Sequence, residues 1–320
     1  MNTERLSVHN PADLIRAAEL LKSGELVAVP TETVYGLAAD ASNPEAVKKI
    51  FRAKERPADH PLITHISSPE VIAQWAINVP DWVSGLCAEF WPGPLTLILE
   101  KQTGVSDVIT GGNHTIGLRM PNQPVLLSIL RQEKLAIAAP SANPYQKLSP
   151  TSAEQVLAGL DGKISAVLDA GPCQVGTEST ILSVVGGQAK LLRAGAITAS
   201  QLQPFVPVAI EVPRQHREAV SGNKEIHYQP GTPVYLKSKE AVLAADLSDS
   251  RIGLISHSDN LCIASDYWRN LGSMSSDYRH QLYATLYELD QMDLDAIWVE
   301  DVPNSEEWAD IQDRLQKAAN

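Results

Sequence analysis

Cysteine is scarce in this 320-residue chain: Cys87, Cys173 and Cys262 lie far apart, with no C-x-x-C pair. That spacing argues against a zinc ribbon or a disulfide framework and suits a reducing compartment. Long apolar runs are missing too. None approaches the roughly 20 residues that cross a bilayer, and the opening "MNTERLSVHN" lacks the apolar centre of a signal peptide. A cytoplasmic location is therefore expected. Aromatics make up 5%, and 38 acidic side chains face 26 basic ones, for a net charge of −12. The imbalance is uneven, with 16 basic and 19 acidic side chains in residues 1–200 against 10 and 19 in residues 201–320. A chain that grips nucleic acid alone needs a basic stripe for phosphates and aromatics for unpaired bases. Stable nucleic-acid binding is not expected, whereas small anions held by a few focused cations are compatible with the composition. There is no Walker A loop, G-x-G-x-x-G, G-x-S-x-G or H-E-x-x-H, which argues against P-loop kinase, nicotinamide dehydrogenase, serine hydrolase and zincin chemistry.

What is present is an alternation of helix and strand patterns. Asn10 and Pro11 open a helix with an apolar face through Leu14, Ala17, Ala18 and Leu21, and Gly24 ends it. Strands are predicted at 26–30, 62–66, 95–99, 115–120 and 134–140, then near 165–169, 179–185 and 189–193. Helices are predicted at 43–54, 69–77, 81–90 and 124–132, and from a Thr151/Glu154 capping box to about Leu160. The class is α/β with a twisted, mixed sheet. Residues 207–233 have weak periodicity and several prolines and glycines, and read as a long linker. Beyond it "VYL", "IGLIS", "LCIAS" and "AIWVE" are strand-like and 274–291 is helical, so a smaller α/β unit is expected over 234–320.

Several strand-terminal stretches carry chemistry. "PTETVYGLAAD" (30–40) sets Thr31, Glu32, Thr33 and Tyr35 at a strand end, where open α/β sheets form ligand crevices; a plain turn is the alternative. In "KERPADHPLITHI" (54–66), Lys54 and Arg56 flank a helix end. They either complement the helix dipole or form an anion site, and Pro57 and the Arg fork favour the latter. His65 within the next strand is a core residue or a ligand. "FWPGPLTLIL" (90–99) fixes a rigid turn that shapes a wall. Arg119, inside an apolar strand, demands a buried salt bridge or an anionic ligand. "AAPSANPYQKLSP" (138–150), "GTEST" (176–180) and "LLRAG" (191–195) add Ser141, Asn143, Ser179, Thr180 and Arg193 in similar settings.

These segments, in this order and spacing, closely resemble the threonylcarbamoyl-AMP synthases with a YrdC-like domain. The likeness spans about residues 10–205, and the tail resembles the C-terminal domain of the longer members, reached through "HYQP" (227–230). The resemblance implies a YrdC-like catalytic domain over 1–206, a linker over 207–233 and a Rossmann-like domain over 234–320. It implies a nucleotidyltransferase that makes threonylcarbamoyl-AMP and pyrophosphate from L-threonine, bicarbonate and ATP with Mg²⁺, for N6-threonylcarbamoyladenosine in tRNA. Lys54, Arg56, Ser141 and Asn143 would be catalytic. Thr33, His65, Arg119, Ala139 and Ser179 would hold threonine. Arg56, His60, Thr115, Ser141, Ser149, Arg193 and Tyr228 would hold ATP, with His60 standing where Asn is usual. Expected partners are the proteins that carry the product to tRNA. A non-catalytic RNA-binding module of the same fold is the alternative, which the acidic balance disfavours. Hydrogenase-maturation carbamoyltransferases share the domain but add zinc-finger cysteines that this chain lacks.

Overall fold

A computed structural model of the chain describes residues 2–213, 220, 228–245, 247, 251–258, 261 and 265–319. Local signals start its helices. Asn10 accepts from Ala12 N ahead of Pro11–Lys22, Asn43 from Glu45 N and Ala46 N ahead of Pro44–Lys54, and Gln123 from Val125 N and Leu126 N ahead of Pro124–Gln132. Each cap is followed by proline, whose missing N–H is no loss in the first turn. The helix Pro44–Lys54 ends at Glu55, which turns left-handed at φ 56, with Pro57 close behind. Its buried face is Ala46, Val47, Ile50, Phe51, Ala53 and Lys54, so a charged head is carried into the interior by an apolar stripe.

The larger sheet is twelve-stranded and mixes parallel and antiparallel pairs. From one edge it runs Glu4–Ser7, Ala166–Asp169, Val27–Val29, Gly36–Asp40, Ile137–Ala138, Ile63–His65, Thr115–Arg119, Leu95–Lys101, Thr180–Ser183, Ala189–Arg193 and Ile210–Glu211. Ala76–Ile77 joins Leu95–Lys101 off this path. The second sheet is parallel and four-stranded, in the order Val234–Lys237, Ala296–Glu300, Ile252–Ser256 and Trp268–Asn270. It packs against Ser275–Asp290 and Ala309–Ala319 through a core that includes Tyr278, Leu282, Ile297, Ile311 and Leu315. Burying each such aliphatic side chain contributes about 1.5–3 kcal/mol. The same core takes in Val34 and Tyr228, so the two units share packed surface.

Several expectations are corrected. Residues 69–77 are not one helix: a 3₁₀ turn Pro69–Val71 and a single turn Ile72–Trp75 give way to Ala76–Ile77, which pairs with Lys101 and Glu100. Residues 36–40 extend as a strand because Val27–Val29 and Ile137–Ala138 pair on either side. The cap at 151–154 is shifted by one. Ser152 caps Ala153–Leu160, while Gln155 accepts from both the N–H and the hydroxyl of Thr151. Within the expected linker, Ile210–Glu211 adds an edge strand beside Ala189 and Lys190. Residues 214–219 and 221–227 of that linker, Cys262, and 262–264 of the expected "LCIAS" strand lie outside the described residues.

Candidate active site

The strand ends converge. Leu37 N donates to the Pro140 carbonyl at 2.7 Å and Ala142 N to the Tyr35 carbonyl at 2.8 Å, which zips P-T-E-T-V-Y-G to A-A-P-S-A-N. Gly36 permits the approach: a Cβ there would sit 3.2 Å from that of Ala139. Around this seam lies a cavity. Its lining brings together Thr33, Lys54, Arg56, His65, Arg119, Ala139, Ser141, Asn143, Ser179, Arg193 and Tyr228 from the expected set. Four basic side chains from three distant stretches of the chain therefore face one space.

Each is held in a particular way. Lys54 Nζ donates to the carbonyls of Ser141 and Asn143, and its own carbonyl accepts from Tyr145 N at 2.8 Å, so this ammonium staples the S-A-N loop. Burial and the Arg56 charge push its pKa well below the usual lysine value. Arg56 donates one bond, to the Pro61 carbonyl at 3.1 Å, and its buried Nε has no partner among the described residues. Burial brings its pKa down to about 10, which leaves it charged at neutral pH. Arg119 answers the sequence question with an ion pair: its guanidinium lies 2.7 Å from the Glu32 carboxylate, both side chains buried. The contact is not aligned as a hydrogen bond, since neither Glu32 oxygen is satisfied. Arg119 Nε also donates to the Gly93 carbonyl at 3.3 Å, so the P-G-P turn aims the guanidinium.

His65 is the register neighbour of Arg119 in a parallel pair, and both its ring nitrogens are buried without partners among the described residues. Burial, with the Arg119 charge beside it, pushes its pKa well below the usual histidine value, so the ring is neutral at pH 7. Arg193 donates through Nε to the Ser179 carbonyl and through a terminal nitrogen to Ser179 Oγ, both at 3.0 Å. The Ser179 hydroxyl also lies 2.8 Å from that of Thr96.

Three expected residues stand apart. Ser149 is one layer back, donating at 2.6 Å to Glu178, which does line the cavity. His60 packs against the lining residue Tyr145, with ring centres 5.6 Å apart. Thr115 does not line this cavity. It opens the strand that ends at Arg119, and four residues of strand carry it about 13 Å away. There it lines another cavity with His114, Ser183 and Lys190.

Sequence reasoning also missed lining residues. Tyr145 and Gln146 directly follow S-A-N-P, and Glu178 sits inside G-T-E-S-T, so position beside a motif was the available signal. Burial opposes the Glu178 charge, but Arg314 and Arg193 beside it and the Ser149 hydrogen bond hold its carboxyl down to about 2. Arg314 and Tyr283, which also touch Glu178, come from the second unit and carried no sequence signal.

The described residues include no group of three or more His, Cys, Asp or Glu placed to hold a metal ion. What the cavity offers is a concentration of positive charge, hydroxyls and a neutral imidazole. That set binds and screens anions and needs no side-chain nucleophile to do so.

Comparison with known proteins agrees. The family model described as "Telomere recombination" matches residues 19–195, and the model described as "Threonylcarbamoyl-AMP synthase, C-terminal domain" matches residues 197–320. A threonylcarbamoyl-AMP synthase of Bacillus subtilis (strain 168) is 37% identical, the match covering 99% of this chain and 95% of that one. One of Schizosaccharomyces pombe is 32% identical over 96% of this chain and 88% of that one. The crystal structure of Pyrococcus abyssi Sua5 complexed with L-threonine superposes with a TM-score of 0.89 at 32% identity, covering 100% of this chain and 98% of that one. This chain therefore belongs to the threonylcarbamoyl-AMP synthase family.

Proposed function

We propose that this protein makes threonylcarbamoyl-AMP and pyrophosphate from L-threonine, bicarbonate and ATP, and that the product serves N6-threonylcarbamoyladenosine formation in tRNA. The observation that carries the reading is the meeting of Lys54, Arg56, Arg119 and Arg193 in one cavity, in a chain of this family. The threonine amine and bicarbonate form a carbamate with loss of water. The carbamate oxygen then attacks the α-phosphorus of ATP, the bond to the bridging oxygen breaks, and pyrophosphate departs. No covalent enzyme intermediate is required. The reactants all carry negative charge, so assembling them is the main barrier the protein lowers, by positioning and electrostatic stabilisation.

Arg119 takes the threonine carboxylate, with Thr33, His65, Ala139 and Ser179 around the amino acid. Arg56, Ser141, Asn143, Arg193 and Tyr228 face the nucleotide, with Ser149 and His60 behind them. Lys54 acts chiefly by holding the Ser141–Asn143 loop, because two of its three N–H bonds go to that backbone. Mg²⁺ enters as part of the ATP substrate, bound by phosphate oxygens. The downstream partners in this reading are tRNA threonylcarbamoyl-transfer proteins in the cytoplasm. No helix among the described residues is long and apolar enough to cross a membrane.

Mass spectrometry of the protein with ATP, threonine, bicarbonate and Mg²⁺, omitting one at a time, tests the reading. A threonylcarbamoyl-AMP mass that vanishes with each organic or carbonate omission is the expected result. Its absence from the complete mixture rejects the function.

A further inference from the structure

Arg314 belongs to the last helix, Ala309–Ala319, in the second unit, and its side chain is fully buried. Its guanidinium reaches three separate segments. Nε donates to Glu178 Oε2 at 2.9 Å, a terminal nitrogen donates to the Ala194 carbonyl at 3.1 Å, and its central carbon lies 5.5 Å from the Tyr228 ring centre. The other terminal nitrogen pairs with Asp313 at 2.7 Å. Glu178 and Tyr228 line the cavity, and Ala194 directly follows the lining residue Arg193. Tyr283, from Ser275–Asp290, adds a hydroxyl that donates to Glu178 at 3.1 Å and stacks its ring on Tyr228, centres 5.6 Å apart.

Resting on the function above, we propose that Arg314 is a positioning residue for the nucleotide end of the cavity. One planar fork holds the Glu178 wall, the Arg193 wall and Tyr228 in register, so the second unit completes the site. Charge alone is insufficient for this. Glu178 pairs with Arg314 at 2.9 Å and also feels the charge of Arg193. With Arg314 gone it would turn its full attraction on Arg193 and compete with Ser179 for that group's donors. A lysine keeps the charge but cannot reach Glu178 and Ala194 in two fixed directions while stacking on an aromatic face.

The test uses the full chain and the variants Arg314→Lys, Arg314→Ala, Tyr283→Phe and Arg279→Lys. Arg279 is the control: it is buried at the same junction, paired with Asp310, which also accepts from Thr177, and among the described residues its side chain hydrogen-bonds to Asp310 and Glu307 and to no lining residue. ATP affinity is read by titration calorimetry, which needs no turnover, and both KM values by pyrophosphate release. Arg314→Lys is expected to weaken ATP binding about tenfold or more, the worth of a charge-assisted bond pair, and to shift the threonine KM less than about twofold. Tyr283→Phe should move ATP alone and by less, and Arg279→Lys neither. Millimolar guanidinium should restore part of the ATP affinity in Arg314→Ala. Unchanged ATP affinity in Arg314→Lys, equal losses in Arg279→Lys, or threonine and ATP weakened alike would each overturn the positioning role. If Arg314→Lys fails to fold, Tyr283→Phe decides by the same split. A wild-type chain that binds ATP but forms no product would reject the function and leave the binding comparison standing.

Discussion

Arg119 and Glu32 are both sealed in the interior, and that fact decides what a substitution does. Arg119→Ala would leave a buried carboxylate unpaired and destabilise the fold by about 3–5 kcal/mol. The informative change is Arg119→Lys, which keeps the charge but loses the fork. It should fold, raise the threonine KM about tenfold or more, and leave ATP affinity within about twofold, as pyrophosphate release and calorimetry would show. His65 supplies a pH dependence. Its folded pKa lies below the unfolded value of about 6.5, so its stabilisation is complete above pH 6.5 and is lost as pH falls, because the unfolded chain takes up the proton first. Denaturant unfolding of the wild type should weaken from pH 7 to pH 5, and His65→Asn should flatten that slope. These cations were legible because the sequence sets them beside prolines and strand ends. The Lys54 hydrogen bonds were not, since they depend on carbonyls 87 and 89 residues away.

Among elements, the helix Pro44–Lys54 delivers Lys54 and, two residues on, Arg56. Its Asn43 cap bonds two otherwise orphan N–H groups. Asn43→Ala should therefore cost about 1 kcal/mol in chemical denaturation with only a small change in turnover at saturating substrate, since the buried face still seats the helix. Elements whose signals are local, such as Asn10–Pro11 and Asn43–Pro44, could be read directly. Elements made by pairing could not. Ala76–Ile77 looks helical until Leu95–Lys101 recruits it, and Gly36–Asp40 looks like a turn until it is flanked on both sides. The strand Ile210–Glu211 likewise owes its existence to an edge that only the folded sheet presents.

Across the whole molecule, one buried link between the units is the Glu178–Arg314 pair. Glu178 has a folded pKa of about 2, below the ordinary carboxyl value of 4.5. Its contribution is complete above about pH 4.5 and disappears as acidification approaches pH 2. Glu178→Gln should be less stable than wild type at pH 7, with the gap closing below pH 4 in acid-unfolding curves. A two-unit organisation could be inferred from composition and the change in periodicity near residue 207. The junction could not, because 136 residues separate Arg314 from Glu178 and no spacing rule connects them.

A chain whose overall charge is −12 gathers Lys54, Arg56, Arg119 and Arg193 around one cavity, so its positive charge is local and short in reach. At physiological salt, fields fade within about 8 Å. In the proposed function, a nucleotide that enters this cavity meets guanidinium groups at contact range, where screening by salt is weakest. On that reading, the expected product leaves as a small molecule and meets its nucleic acid on another protein.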